Sequence, residues 1–450
     1  MNHSELLKKY DVPVPRYTSY PTVPYWSDSP TTEEWVDSLR RAFVQKNMTW
    51  SMYVHVPFCE TLCTFCGCNT VIGKNHEREQ PYVGMLLKEF AAYKSAVPAL
   101  LSKPLRQMHL GGGTPTFLNE KHLAQMVEGL LKQVTLDSEH FEGSVEVDPR
   151  RTTKEQLKVL LPFGFKRVSM GVQDFDPEVQ RLVNRVQPFE QTRDLTEAAR
   201  DMGYDSVNFD LIYGLPKQTV ASFAPSIDRT VQLRPDRIAL YSFALVPWIK
   251  PAQRLFKDED LPAGADKRAL YEMAYKKLID AGYVEIGMDH FALPGDHLAK
   301  AMAQKTLHRN FMGYADLRTD VLLGLGVSSI SESPDCFHQN EKVLNVYERK
   351  VNEGLVPTHR GHKLNPVDRK HREQILAFMT QGETILESMD QAKDVALFLG
   401  DMITDGLVAV DGLKLRLTEL GKPFLRNACV ALDQRLREQK PSTKVFSQAL

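Results

Sequence analysis

Four of the six cysteines in this 450-residue chain lie together in Cys59-Glu-Thr-Leu-Cys63-Thr-Phe-Cys66-Gly-Cys68, while Cys336 and Cys429 stand alone. Thiols packed this tightly serve as metal ligands or redox groups more readily than as disulfide staples. Cys59, Cys63 and Cys66, with three and then two residues between them, can take three irons of a [4Fe-4S] cubane from one short loop. The fourth iron is then left without a protein ligand, open to a molecule that binds it directly. The alternative is structural zinc, but zinc loops bring two pairs of ligands from separate segments and close all four positions. No second pair exists here. Cys68 follows after a single residue, and a Cys-x-Cys step strains a cubane already held by three thiolates. We expect it to be a non-ligand that lines the pocket.

Other chemistry-bearing residues follow strand-like runs. Gly111-Gly112-Gly113-Thr114-Pro115 matches neither a Rossmann fingerprint nor a P-loop, and its use is close backbone approach to a ligand. Glu146 and Asp148 end a third run, where a carboxylate can take a ribose hydroxyl or an amino group; one of the two reads equally well as a solvated strand-end acid. Gln173, Arg185 and Asp210 suit an amino-acid moiety and a ribose, or are ordinary polar groups of strand ends and surface.

The elements that position these residues come from the hydrophobic pattern. Strands are expected at Met52–Val56, Gln107–Leu110, Ser144–Val147, Arg167–Val172, Ser206–Leu211 and Arg237–Phe243. Helical spacing lies between them, as in Leu123, Met126 and Leu130, or Leu270, Met273, Ala274 and Leu278. Strand–helix alternation of this kind implies right-handed βαβ units and an α/β fold with a parallel sheet, open or curled into a barrel. Ligands bind at the carboxyl ends of such strands, so the polar residues gathered there describe one active site.

Around this core, residues 1–50 read as a proline-rich arm carrying Arg16, Tyr17 and Tyr20, followed by a helix capped by Thr31 or Thr32. The catalytic unit spans 51–290, and 291–365, interrupted by glycines, is an extension and connection. Residues 366–450 form a small, mainly helical, winged-helix-like domain with a hairpin at Asp411-Gly412, a type I′ turn signal, and then a helix over Glu419–Arg437. Acidic and basic residues are mixed through that domain, which argues against DNA binding.

The formal net charge of −1 gives no sign of a nucleic-acid partner or an anionic membrane surface. No apolar run reaches the roughly 18 residues of a membrane span, and the first residues carry charges and prolines where a secretory signal would be apolar. The clustered cysteines point to a reducing, cytoplasmic compartment. Nothing in the pattern suggests an assembly, so a monomer is expected.

The CxxxCxΦC spacing, with Phe65 at the aromatic position, resembles the radical S-adenosyl-L-methionine (SAM) superfamily. More specifically, the chain resembles the oxygen-independent coproporphyrinogen III oxidases over almost its whole length. The segments that carry the likeness are Pro15-Arg-Tyr-Thr-Ser-Tyr-Pro-Thr22, Tyr53-Val-His-Val-Pro-Phe-Cys59, Cys66-Gly-Cys68, Gly111–Thr116 and Val145–Arg150. They continue in Ser169–Asp174, Asn208–Pro216, Gly287–Phe291 and Leu307-His-Arg-Asn-Phe311. The resemblance implies a curled partial (β/α)6 barrel of the radical SAM type, with the N-terminal arm and with the C-terminal domain covering the site. It implies a [4Fe-4S] cluster and two molecules of SAM.

By the same resemblance, Tyr53, Gly112, Glu146 and Ile330 contact the cluster-bound SAM, and Tyr53, Glu146 and Ile330 count as catalytic. Phe65, Gly113, Thr114, Gln173, Arg185, Asp210 and Ala244 shape the second SAM site. His290, His308 and Arg309 contact propionates or pyrroles. The implied reaction turns two propionates of coproporphyrinogen III into vinyl groups: a 5′-deoxyadenosyl radical takes a β-hydrogen, then CO₂ and one electron leave. The electron donor would be a protein such as flavodoxin or ferredoxin. Where the family pattern has Phe-Gln-Gly-Tyr-Thr-Thr, this chain has Phe311-Met-Gly-Tyr-Ala-Asp316, and Met312 cannot hydrogen-bond as glutamine does. The runner-up, a haem chaperone of the same family, is disfavoured by the arm and by Gly67-Cys68.

Overall fold

The computed structural model describes residues 3–439, 445–446 and 448. Residues 1–2, 440–444, 447 and 449–450, which belong to the first and last expected segments, lie outside the described residues. Six parallel strands form the centre: β1 (Trp50–Val56), β2 (Leu105–Gly112), β3 (Glu142–Val147), β4 (Phe165–Gln173), β5 (Ser206–Tyr213) and β6 (Arg237–Ser242). All six expected strands are present, five of them two to four residues longer than the pattern indicated and the last one residue shorter. After them come β7 (Val284–Gly287), β8 (His290–Ala292), the hairpin β9 (His308–Asn310) and β10 (Gly313–Ala315), and β11 (Val321–Leu325). Then follow β12 (Ile330–Ser333), β13 (Cys336–Asn340) and β14 (Thr358–Lys363).

Twelve of these strands make one open sheet in the order β14-β13-β12-β11-β1-β2-β3-β4-β5-β6-β8-β7. The strand the sequence hid is β11. It pairs in parallel with β1 on the side away from β2, with Tyr53 opposite Gly324, so seven strands run in parallel. Its sequence Val-Leu-Leu-Gly-Leu is buried throughout, and a short apolar run holding a glycine gives no periodicity to read.

Alternation along each strand separates two faces. Met52, Val54 and Val56, Met108 and Leu110, Val168 and Met170, and Phe209 and Leu211 point to the helices and are almost wholly buried. The residues between them, Tyr53, His55, His109, Glu146, Ser169, Asn208 and Asp210, face the interior of the curl. The helices on the outer face start where local chemistry dictates: Thr31 forms a capping box with Glu34 ahead of helix Thr32–Phe43.

The N-terminal arm packs with the C-terminal part of the chain. Leu6, Tyr10, Tyr17 and Tyr20 share an apolar cluster with Phe378, Leu399, Phe424 and Leu432. In that part, the small sheet of Glu383–Ile385, Val408–Asp411 and Lys414–Leu417 carries the expected hairpin with a shifted turn. Asp411 pairs with Lys414, so Gly412 and Leu413 are the two loop residues. Of these only Gly412 has a positive φ, +59°, the type II′ pattern and not the expected type I′. The expected helix over Glu419–Arg437 is also corrected. It breaks into Lys422–Phe424, Leu425–Cys429, Val430–Leu432 and Gln434–Glu438, with Pro423 near the start of the first piece and the Asp433 side chain capping the last.

Candidate active site

At the carboxyl end of the parallel strands, the cysteine loop, the glycine turn and the strand-end polar residues open onto one cavity. Cys59, Cys63, Cys66, Phe65, Gly112, Gly113, Thr114, Glu146, Gln173, Arg185 and Asp210 all line it. A larger cavity, beside Tyr10, Phe398 and Leu432, holds none of this chemistry.

The loop itself is tied down at its edges. Phe58–Cys59 pairs with Val71–Ile72, the Thr64 amide donates to the Val183 carbonyl at 3.1 Å, and the Cys66 amide donates to the Cys63 carbonyl at 3.1 Å. All six cysteines are free thiols. The donor set fits a cluster better than a single ion. Tetrahedral zinc with Zn–S bonds of 2.3 Å holds its sulfurs about 3.8 Å apart. Among the described residues, the one His, Cys, Asp or Glu trio whose ligand atoms lie within 4.8 Å of one another is Glu142, His297 and Asp316, which contains no cysteine. Two guanidinium groups reach the Cys63 sulfur, Arg150 at 3.6 Å and Arg185 at 3.5 Å.

Glu146 is the hub of the opposite wall. Its carboxylate accepts the Gly112 amide at 3.1 Å and His109 Nε2–H at 3.1 Å. Because a carboxylate only accepts, His109 carries its proton on Nε2 and, in the neutral ring, accepts from the Ser144 hydroxyl through Nδ1 at 2.7 Å. The Tyr53 ring stacks on His109 from the next strand, with centroids 5.8 Å apart. Burial pushes the Glu146 carboxyl up, but His109 and the Gly112 amide outweigh it and hold the group below its usual range. Asp210 goes the other way: burial first, then the charge of Glu146, pushes it up to about 6, although Ser169 and Asn208 both donate to it. Two carboxyls in one cavity are thus set to different protonation behaviour.

Gly112 and Gly171 show how closely the backbone fits. Gly112 has φ +114°, and a Cβ there would lie 2.8 Å from the His55 ring. A Cβ on Gly171 would lie 2.8 Å from the Gln173 amide and 2.9 Å from Arg185. Gln173 itself holds φ +67°, a conformation a non-glycine residue keeps only where its surroundings impose it.

Compared with known proteins, residues 53–229 match the Radical SAM superfamily. The chain is 38% identical to the oxygen-independent coproporphyrinogen III oxidase of Escherichia coli, over 99% of this chain and 98% of that one. It is 37% identical to the protein of the same name from Pseudomonas aeruginosa, over 96% of each. The solved structure described as coproporphyrinogen III oxidase from Escherichia coli, a radical SAM enzyme, superposes with a TM-score of 0.89 at 38% identity, covering 94% of this chain and 98% of that one. The chain belongs to the oxygen-independent coproporphyrinogen III oxidase family. Like the superfamily, the family uses a [4Fe-4S] cluster and SAM, and the cavity offers sulfur ligands for the one and a polar, glycine-lined cradle for the other.

Of the residues expected in this family member at the two SAM sites, three stand outside the cavity lining, as do the expected propionate or pyrrole contacts His290, His308 and Arg309. Tyr53 sits behind Glu146, in contact with its partner His109 and donating to or accepting from His55 Nδ1 at 3.1 Å. Ile330 lies on β12 against the cluster of Trp26, Phe337 and Leu364, and Ala244 lies in the loop after β6. The solvated reading of a strand-end acid fails for Asp148. It is 8% exposed and bridges Arg150, at 2.7 Å, and Arg185, at 3.3 Å, the two cations that face Cys63. Sequence reasoning missed His109, Ser169, Asn208 and Arg150. The signal was present in the alternation Gln107/His109, Ser144/Glu146, Arg167/Ser169 and Asn208/Asp210, polar residues two apart on one face of a strand.

Proposed function

We propose that this chain performs the oxygen-independent oxidative decarboxylation of two propionates of coproporphyrinogen III, giving protoporphyrinogen IX, as a monomer in the cytoplasm. The observation that carries the reading is the end-to-end kinship with proteins of that name, combined with three thiols that share a cavity with Glu146, Gln173, Arg185 and Asp210. The absence of a helix long and apolar enough to cross a membrane, among the described residues, is compatible with it.

In this proposal Cys59, Cys63 and Cys66 hold the cluster. Tyr53, Gly112, Glu146 and Ile330 form the side for the first SAM, and Phe65, Gly113, Thr114, Gln173, Arg185, Asp210 and Ala244 form that for the second. When bound, the cluster and SAM supply a carbon-centred radical strong enough to take hydrogen from an unactivated C–H bond. The chain's own residues bind and aim. Glu146 stays ionised and receives an ammonium group. Arg185, fixed by Asp148 and by the Gly171 carbonyl at 2.6 Å, faces a carboxylate. Asp210 and Gln173 offer acceptors and donors to hydroxyl groups. The electron needed to start each turnover comes from a protein such as flavodoxin or ferredoxin.

The test is anaerobic reconstitution followed by dithionite, SAM and coproporphyrinogen III. Protoporphyrinogen together with 5′-deoxyadenosine is the expected result. Deoxyadenosine without porphyrinogen conversion would overturn the substrate assignment, and haem binding would then be measured.

A further inference from the structure

Strand β3 runs into Asp148-Pro149-Arg150, and that order folds the chain back on itself. The Asp148 side chain accepts the Arg150 amide at 3.0 Å, and its carbonyl accepts the Arg151 amide at 2.9 Å, a turn that aspartate followed by proline favours. The turn returns the Arg150 guanidinium onto the same carboxylate. Nε donates to its two oxygens at 3.0 and 3.2 Å, and Nη2 donates at 2.7 Å. Both side chains are largely buried, so the pair is held in one geometry. From there Nη2 also reaches the Cys63 sulfur, at 3.6 Å.

The three sulfurs of the loop are served unequally. Cys59 shares a 3.4 Å contact with the Thr114 hydroxyl, and Cys66 accepts the Cys68 amide at 3.4 Å. Both of those groups are neutral. Cys63, which is buried, meets two guanidinium groups, Arg150 and, at 3.5 Å, Arg185. Two cations against the one carboxylate of Asp148 leave a positive charge beside this sulfur. Arg185 belongs to the proposed side for the second SAM; Arg150 has no such part. Net charge and hydrogen bonds to the sulfurs set the potential of an iron–sulfur centre. Reduction adds negative charge that is shared with the ligand sulfurs, so a fixed cation donating to one of them favours the reduced form.

We propose that Arg150 raises the reduction potential of the cluster through Cys63, by a charged N–H···S contact that the Asp148 turn holds in place. This rests on the proposed function, which puts the cluster on Cys59, Cys63 and Cys66. The electron balance is that of a one-electron transfer: the donor protein loses one electron and the cluster gains it, while no bond breaks and no proton moves. Arg150 makes that transfer less uphill. It acts through Cys63 and not on the substrate. Asp148 is the residue that positions it, and in the absence of the Arg150 side chain Asp148 keeps Arg185 at 3.3 Å, so no buried carboxylate is stranded.

The experiment is a mediated redox titration of the reconstituted full-length protein, read by electron paramagnetic resonance of the reduced cluster. It is run without SAM, so that a change in SAM binding cannot move the result. Arg150→Gln and Arg150→Met should each lower the midpoint potential by about 59 mV, a tenfold change in the oxidised-to-reduced ratio at a fixed potential. Arg151→Gln is the control. Arg151 pairs with Glu60 at 3.0 Å on the more exposed side of the loop, where solvent screens its charge, and its removal should move the potential far less. An unchanged potential in the neutral Arg150 variants overturns the proposal, and so does an equal fall in Arg151→Gln, which would make the effect one of net charge alone. Loss of the cluster from both neutral variants would make Arg150 a residue of the loop's fold and rejects the tuning role as well. A cluster that persists in Cys63→Ala breaks the ligand set of the proposed function, and the tuning falls with it; an unshifted potential with that ligand set intact removes only the tuning.

Discussion

Two glutamates, one lining the cavity and one buried behind the sheet, are held in opposite electrostatic states. Glu146 looks into the cavity, its side chain 44% exposed, and an imidazole and one amide hold it below the normal range. Glu89, on helix Glu79–Ala96, is wholly buried outside the sheet. It accepts from the Gly326 amide at 2.8 Å, the Tyr347 hydroxyl at 2.6 Å and the Asn340 side chain at 2.6 Å. These are neutral donors in a dry place, and burial outweighs them, pushing Glu89 up to about 7. The comparison separates a carboxylate held below its usual range at the cavity from one that ties together a helix, the loop after β11 and strand β13. Three donors alone do not keep a carboxylate ionised; access to the cavity and a hydrogen-bonding imidazole do.

The largest effect belongs to the cavity and should leave the Glu89 region untouched. Cys59→Ala, Cys63→Ala or Cys66→Ala should each abolish the cluster, read as loss of iron, labile sulfide and the visible absorption band. Cys68→Ala should retain it. Cys68 is exposed, and its amide reaches the Cys66 sulfur at 3.4 Å, so its backbone already serves the loop. A cluster-free Cys68→Ala protein would show that the ligand set is wrong.

The Glu89 region should respond in stability alone. Glu89→Ala strands three buried donors and should cost roughly 3 kcal/mol or more in chemical denaturation, with cluster content unchanged. The pH dependence follows from the raised pKa. The unfolded chain releases this proton near its ordinary value, about 4.3, while the folded chain keeps it up to about 7. Stability from this group is therefore greatest at low pH, falls as pH rises between those values, and levels off above. Between pH 5 and pH 8 the loss is roughly 2–3 kcal/mol, and Glu89→Gln should remove it. An unchanged pH slope in Glu89→Gln would mean that the carboxyl is hydrated.

How much of this contrast was legible in the sequence depends on the residue. That Cys59, Cys63 and Cys66 line one cavity was legible because spacing within one loop is local. The six strands were legible because alternation and turns are local too. Glu89 was not singled out, although Tyr82, Leu86, Glu89, Phe90 and Tyr93 share one helical stripe; a glutamate in an apolar stripe is a buried acid once the stripe is drawn. Strand β11 and the role of Asp148 were hidden for a different reason. Each is defined by partners more than 30 residues away, Tyr53 and Arg185 respectively. The break in Glu419–Arg437 was half visible, since Pro423 was in view but the capping role of Asp433 depends on geometry.

The smallest effect tests the cavity side of the comparison through pH. Glu146 is held below its usual range, so it contributes stability above the unfolded pKa, and that contribution is lost as pH falls through the folded value, opposite in sign to Glu89. Its 44% exposure screens the interaction, so removing the donor in His109→Phe should cost no more than about 1 kcal/mol at pH 7. That difference from the unaltered protein should shrink as pH falls below about 4. SAM affinity is the more sensitive readout. If Glu146 receives the ammonium group, Glu146→Gln should weaken SAM about tenfold or more while stability moves by less than 1 kcal/mol. A Glu146→Gln protein that binds SAM normally would make the low pKa a consequence of packing against His109, and Glu146 would then be structural, as Glu89 is.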